Sequence, residues 1–539
     1  MMLHSYPLLK LLSGRNIRPR QVRPSQVIWL LTTVFILSGC TSLPKQFPQE
    51  SSYALADTGS TTIGQALSTR KTAQPGLSGF YLLDDGLDAF VARAILAERA
   101  EKSLDAQYYL YHADLIGRLF TGLLVNAADR GVRVRLLVDD MALDNGDSGA
   151  TVLNAHPNIE VRIFNPFFRN APRSAQFIAR FGSVTRRMHN KSFTADNQIT
   201  VVGGRNIGNE YFDADLDLVF GDLDVLAVGP VVEDISATFD LYWNHELAYQ
   251  IDSLAPALHT EIQVDNLQKE VKRFSAAQSG SDYMVALQNS NLASTLREGR
   301  VDYDWGIGKV LYDNPDKILT ARSRKDLHMV TQLDQYLSGI NEDLIIFSPY
   351  FVPGKQGVAW LKALREKGIR VRILTNSLAS TDVSIVHAGY ARYRKSLLRA
   401  GVEIWEFDRK LTRKQRKRMK GSEGSSKASF HAKSFLIDGQ RVFIGSLNID
   451  PRSIVENTEL GIMIESQELA SDLETWLEQE VPDLAFRLEL IPGSLGGDKI
   501  LWHRLEEGNN HIYTKEPHAG FWRRLSVKFL QWLPIESQL

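Results

Sequence analysis

His189 and His431 each head the pattern His-x-Lys-x4-Asp, which supplies Lys191 and Asp196 in the first copy and Lys433 and Asp438 in the second. The agreement continues downstream, with glycine at +14 (Gly203, Gly445), asparagine at +17 (Asn206, Asn448) and an acid at +28 (Asp217, Glu459). A His and a Lys two residues apart on a strand project from one face, so both can reach a single anion. One His-x-Lys alone reads as an ordinary core strand. Two copies in matching register read as a site.

These residue types suit a phosphodiester. Such a group needs a nucleophile for phosphorus, an acid for the leaving alkoxide and donors for the non-bridging oxygens. One neutral and one protonated imidazole supply the first two, because imidazole titrates near neutrality and two facing rings titrate as a pair. Lys191, Lys433, Asn206 and Asn448 are suited to hold phosphoryl oxygens. Asp217 and Glu459 can each accept a ring N–H and fix a tautomer. Gly203-Gly204 and Gly445-Ser446 let the backbone pass close to the site. No His/Cys cluster has metal-ligand spacing, and two lysines with two histidines offset the phosphate charge, so neither metal nor other cofactor is expected.

Elements that could position these groups recur as well. AADRGVRVRLLVDD (residues 127–140) and ALREKGIRVRILTNS (363–377) each read as a helix end, a turn glycine and a short apolar strand. IEVRIFN (159–165) and VEIWEFD (402–408) follow, and then the two motifs. Three blocks in the same order indicate duplication. The expected fold is α/β: two similar units, each a central β-sheet flanked by helices, packed about a pseudo-two-fold axis with one shared active site. The first unit is expected over 80–252 and the second over 324–490. Residues 253–323 read as a linker without a counterpart, and 491–539 as a C-terminal extension.

The flanks speak of a membrane. Lys10, Arg15, Arg18, Arg20 and Arg23 precede an apolar run (27–37) and then Leu37-Ser38-Gly39-Cys40. This is a secretory signal, too short to serve comfortably as a permanent span. The chain holds one cysteine, so no intrachain disulfide is available. The string LSGC is similar to the lipobox of bacterial lipoproteins, which implies lipidation at Cys40 and a place in the bacterial cell envelope, facing the periplasm. An uncleaved N-terminal anchor is the alternative, and Thr41 after the cysteine leans towards the outer membrane without deciding it. Residues 41–79 read as a flexible tether. The basic run 409–420 reads as a solvated loop or an attractor of anionic headgroups. FWRRLSVKFLQWL (521–533) aligns Trp522, Leu525, Phe529 and Trp532 on one helical face. Such a stripe is expected to pack on a core, with an interfacial membrane helix as the rival. His112 and His387 have no duplicate partner.

The paired motifs resemble the phospholipase D superfamily over most of the chain from about Phe80. The strings RRMHNKSFTADNQITVVGGRNIGNEYF, NSLASTDVSIVHAGYARYRKSLLRAGVEIWE and SFHAKSFLIDGQRVFIGSLNIDPRS are similar, more narrowly, to its bacterial cardiolipin-forming branch. The resemblance implies a two-step transfer through a phosphohistidine, in which a phosphatidyl group passes to a hydroxyl of phosphatidylglycerol. Phosphatidylethanolamine is a candidate donor. By that analogy His189 is the nucleophile and His431 the acid, exchanging roles in the second step.

Rival functions remain at this level. A phospholipase D would pass the same intermediate to water, and a nuclease would use the same motif on nucleic acid. Lys+Arg (62) and Asp+Glu (63) nearly cancel, which argues against a nucleic-acid partner. A non-enzymatic scaffold would require a degenerate motif, and both are complete. The sequence does not say whether a protein partner is needed.

Overall fold

The computed structural model of the chain describes residues 43, 50–143, 147–180, 182–215, 219–255, 261–410, 428–493, 497–506 and 508–532. Cys40, Asp217 and nearly all of the basic run 409–420 lie outside the described residues.

The first unit carries β1 (Ser78–Leu83), β2 (Ser103–Tyr108), β3 (Arg133–Asp139), β4 (Ile159–Phe164), β5 (Ser192–Ala195), β6 (Ile199–Gly203), β7 (Val219–Gly221), β8 (Asp224–Val228) and β9 (Ala248–Gln250). The second begins with β10 (Asp304–Tyr312), β11 (Asp343–Phe347), β12 (Arg370–Asn376) and β13 (Glu403–Phe407). It continues with β14 (Ala428–Phe430), β15 (Ser434–Ile437), β16 (Arg441–Gly445), β17 (Leu460–Glu465), β18 (Ala485–Pro492), β19 (Asp498–Glu506) and β20 (Asn509–Tyr513). In each unit three parallel strands (β2, β3, β4; β11, β12, β13) lie beside the antiparallel hairpin that carries the motif (β5–β6; β15–β16).

The repeated helix–glycine–strand blocks form as their composition dictates. Helix Leu115–Asp129 is capped by Asp114, whose carboxylate accepts from Gly117 N. It ends at Gly131 with φ +92, and Val132 N reaches back to Ala127 O. The helix Gly354–Glu366 ends the same way at Gly368, φ +87, with Ile369 N donating to Leu364 O. A left-handed C-cap of this kind favours glycine. The strands that follow, β3 and β12, are buried along nearly their whole length, as parallel strands covered on both faces must be.

β1 pairs with β8 on one side and with β10 on the other, and β10 pairs with β17. The two sheets are thereby fused into one of 18 strands. Their faces also meet: Val202, Val225 and Ala227 share a buried cluster with Val442, Ile444 and Ile462. Full burial of each Val or Ile side chain here contributes about 1.5–3 kcal/mol, so this common core holds the motif hairpins of the two units together.

Three boundaries differ from the sequence expectation. Residues 253–323 are no mere linker, because β10 stands to β17 as β1 stands to β8 and is the missing counterpart. Its polar residues Asp304 and Lys309 hid it. The tether expected over 41–79 ends by Ser52: Ser52 N and Ala54 N donate to Asn244 Oδ1 (3.0 Å) and Asp240 Oδ2 (2.8 Å), and Thr62–Ala73 is a helix burying Ile63 and Leu67. Low apolar content concealed a segment held by side-chain acceptors of the first unit. Finally, β18, β19 and β20 extend the second sheet to Tyr513, well beyond residue 490. No described helix is long and apolar enough to cross a membrane.

Candidate active site

The two motifs meet through a reciprocal exchange between the units. His189 N donates to Thr458 O (2.9 Å), and His189 Nδ1 lies 2.8 Å from Oε2 of Glu459, the next residue. His431 N donates to Gly221 O (2.7 Å), and His431 Nδ1 lies 2.5 Å from Oδ2 of Asp222, again the next residue. Each histidine is therefore held by backbone and carboxylate of the opposite unit. Strands β7 and β14 pair in parallel, and Met188 bridges Thr458, to bring these partners into register.

The residue before each histidine is fixed from its own unit. Asp139, at the end of β3, accepts from Met188 N (2.9 Å). Asn376, at the end of β12, both accepts from Phe430 N (3.0 Å) and donates to Phe430 O (2.7 Å). Sequence reasoning passed over this pair, although both residues stand inside the repeated blocks, at the same place after RVR.

Both lysines adopt one pose. Lys191 Nζ donates to His189 O and Lys433 Nζ to His431 O, each at 2.6 Å. Lys433 Nζ also lies 2.9 Å from His431 Nδ1 and 3.2 Å from Nε2. Aromatic rings wall the imidazoles, with Tyr109 edge-on to His189, Tyr211 edge-on to His431 and Phe220 stacked on His431.

The two asparagines differ. Asn206 is committed on both sides, accepting from Leu110 N and donating to the Tyr211 hydroxyl (2.9 Å), so it braces the ring beside His431. Among the described residues Asn448 reaches only Ser453 Oγ, at 3.5 Å, and its buried oxygen meets no partner there.

Two expectations need revision. Asp217 lies outside the described residues, and the acid that meets His431 is Asp222. Strand register gives the reason: Gly203 pairs with Asp224 as Gly445 pairs with Gly461, so Asp222 is the counterpart of Glu459. Asp222 stands 33 residues after His189 (222 − 189), against 28 for Glu459 after His431 (459 − 431), because the first unit has five extra residues between motif and acid. Aligning on the apolar strand after the acid, instead of counting from the histidine, would have found it.

The motif aspartates are also not among the reacting groups. Asp196 accepts from the backbone N–H groups of Glu101, Lys102 and Ser103, and Asp438 from those of Asn341, Glu342 and Asp343. Both sit in the hairpin turn at the far end of the strand, with φ +50 and +54. Seven residues along a strand span roughly 23 Å, out of reach of the imidazoles.

Electrostatics separates the two halves of the site. Burial, with Lys191 and Lys433 adding to it, pushes His189 well below the ordinary imidazole value. Burial also pushes Glu459 up to about 7, against the pull of Lys191, so this acid offers His189 only a partial countercharge near neutrality. Burial raises Asp222 too, but His431 and Lys433 outweigh it and hold this carboxyl below its usual range. His431 is lowered by burial and Lys433, with Asp222 opposing. Lys191 is brought down to about 7 by burial. Burial and the two lysines thus disfavour the charged form of His189, while His431 has beside it a carboxylate whose ionised form is favoured. Among the described residues no group of three His, Cys, Asp or Glu could hold a metal ion.

The family profile described as "Cardiolipin synthase, PLD-like domain" matches residues 95–243 and 333–481, one match in each unit. Cardiolipin synthase C of Escherichia coli is 42% identical over 86% of this chain and 96% of its own length. A cardiolipin synthase of Staphylococcus aureus is 25% identical over 76% of this chain and 67% of its own. Among solved structures, phosphatidylserine synthase of Haemophilus influenzae Rd KW20 covers 88% of this chain and 100% of its own, with a TM-score of 0.56 at 10% identity, a likeness of fold. The duplicated match and the extent of these identities show that the chain belongs to the cardiolipin synthase family of phospholipase D-like proteins.

Proposed function

We propose that the protein transfers a phosphatidyl group from one phospholipid to a glycerol hydroxyl of phosphatidylglycerol, forming cardiolipin through a phosphohistidine on His189. Family membership supports a phosphatidyltransferase. The reciprocal clamp supports the mechanism, because it brings two imidazoles to one site with each Nδ1 against a carboxylate, which turns Nε2 to the chemistry, that of His431 beside the Lys433 ammonium.

In the first step neutral His189 attacks phosphorus through Nε2. A P–N bond forms, the P–O bond to the departing alcohol breaks, and His431 delivers its proton to that oxygen. His189, now carrying phosphorus on Nε2, keeps its Nδ1–H on Glu459. In the second step neutral His431 takes the proton from the incoming glycerol hydroxyl, whose oxygen attacks phosphorus and breaks the P–N bond. Lys191, tied by one donor to the His189 carbonyl, has further N–H bonds for the non-bridging oxygens, and Lys433, which also touches the His431 ring, adds its positive charge beside them.

The test is to incubate the protein with phosphatidylglycerol, alone and with phosphatidylethanolamine, and to follow products by mass spectrometry beside His189→Ala and His431→Ala. Cardiolipin lost in both variants is expected, and the mixture required identifies the donor. Phosphatidic acid as the sole product would replace this reading with hydrolysis, and cleavage of nucleic acid without any lipid product would replace it with a nuclease.

A further inference from the structure

Helix Phe521–Leu530 turns its large apolar residues away from the protein. Phe521, Trp522, Leu525, Phe529 and Trp532 are all exposed, Trp522 at 76% and Trp532 at 88%, so the stripe expected to pack on a core faces outward. The helix is nonetheless firmly seated. Val527 is buried with Leu378, Ala388 and Ala519. Arg523 donates to Ser384 Oγ (3.1 Å) and Thr381 O (2.5 Å), and Arg392 donates to Leu530 O (3.1 Å). An anchored helix whose aromatic face has no partner among the described residues needs an occupant for that face.

We propose that this face docks the catalytic body on an anionic phospholipid bilayer. Charge selects the occupant: residues 521–532 carry no acid, and the exposed Lys528, the half-buried Arg524 and the inward-anchored Arg523 leave the helix cationic. A second copy meeting this face by a two-fold axis would bring like cations together, whereas an anionic surface complements them. Tryptophans with a basic flank are also suited to the interfacial layer, where an apolar ring and a polar N–H are both accommodated.

Position supplies the second argument. Arg523 holds the carbonyl of Thr381, and the next residue, Asp382, accepts from the Tyr350 hydroxyl (2.7 Å) and exerts its charge on His431 and Lys433. The helix is thus tied through Thr381 and Asp382 to a wall of the site, and a bilayer on its outer face would hold lipid substrate beside that wall. This inference rests on the proposed lipid chemistry only for that last point.

The experiment uses the full chain and vesicles of phosphatidylglycerol and phosphatidylcholine. The chain has nine tryptophans, so the emission difference between it and Trp522→Phe/Trp532→Phe isolates the two in question. We expect that difference to be quenched by lipids brominated on their acyl chains and protected several-fold from aqueous iodide. Unchanged iodide access on vesicle-bound protein would overturn the proposal, as would protection without vesicles that grows with protein concentration, which would assign the face to a second copy. In a second arm, Trp522→Ser/Phe529→Ser is expected to lower turnover of vesicle lipid tenfold or more while leaving turnover of detergent-dispersed lipid unchanged. Equal loss in both would make the helix merely structural. Absence of any transfer product from the unaltered chain in detergent would sink the proposed function and leave the quenching result standing.

Discussion

Nδ1 of His189 lies 2.8 Å from Oε2 of Glu459, 270 residues later in the chain, and the pairing of His431 with Asp222 repeats it from the other side. Neither unit can assemble an oriented histidine alone. Replacing either carboxylate by an amide leaves the volume but removes the charge and lets an NH2 donor face the ring, so the tautomer is no longer fixed. Glu459→Gln and Asp222→Asn are each expected to lower kcat by up to roughly 10⁴-fold, the loss that follows when such an orienting acid becomes an amide. Steady-state transfer rates, with circular dichroism to show that the fold persists, check this.

The same pairs set the pH dependence. Activity needs His189 neutral and His431 protonated, so kcat/KM should fall on the acid side as His189 gains a proton and on the alkaline side as His431 loses one. Burial depresses both rings, His189 more, which orders the two limbs correctly. Lys191, brought to about 7, loses its charge on the alkaline side as well. Asp222 raises His431, so Asp222→Asn should move the alkaline limb to lower pH. A bound phosphodiester anion favours both imidazolium forms, so the limbs of kcat should lie above those of kcat/KM. A profile unmoved by Asp222→Asn would reduce that acid to a packing role.

Gly204 and Ser446 occupy matching places, and the carboxylates explain why they differ. A Cβ on Gly204 would meet Asp222 Oδ1 at 2.2 Å, while the Ser446 hydroxyl donates to Glu459 Oε2 and accepts from Leu460 N. The shorter acid needs the bare backbone; the longer one has room for a hydroxyl. Gly204→Ala is expected to push Asp222 off His431 and lower kcat more than tenfold. Ser446→Gly removes both hydrogen bonds of that hydroxyl, of which only one, worth about 1 kcal/mol, is to the acid, and should cost less than tenfold. Parallel rate measurements on the two variants check the ordering.

Much of this was legible in the sequence. Duplication showed through His189/Lys191 and His431/Lys433, and helix–glycine–strand blocks at Gly131 and Gly368 carried their own turn chemistry. What escaped were relationships that spacing does not encode. Asp222 was missed because a count from the histidine assumes equal loops. Asp139 and Asn376 were missed because their work is done on backbone far along the chain. β10 was missed because a strand that joins two sheets has no clean apolar alternation, its inner and outer faces being set by both units.

The motif aspartates complete that lesson, since their position in the pattern records a turn and not a reacting group. Asp196 and Asp438 have left-handed φ, followed by Asn197 and Gly439, also left-handed, in the turns that close β5–β6 and β15–β16. Asp, Asn and Gly tolerate that conformation best. Each carboxylate then gathers three successive N–H groups at the start of β2 or β11, locking the motif hairpin to the parallel strands. Asp196→Asn keeps the turn but weakens charge-assisted bonds and should cost about 1–2 kcal/mol of stability. Asp196→Ala also loses the turn preference and should cost roughly 2–4 kcal/mol. Asp438, partly open to solvent where Asp196 is fully buried, should show the same order with smaller losses. Urea unfolding checks the stabilities, and turnover per folded molecule of Asp196→Asn should stay within a few-fold of the unaltered chain. A loss as large as that of His189→Ala in well-folded protein would return this aspartate to the chemistry.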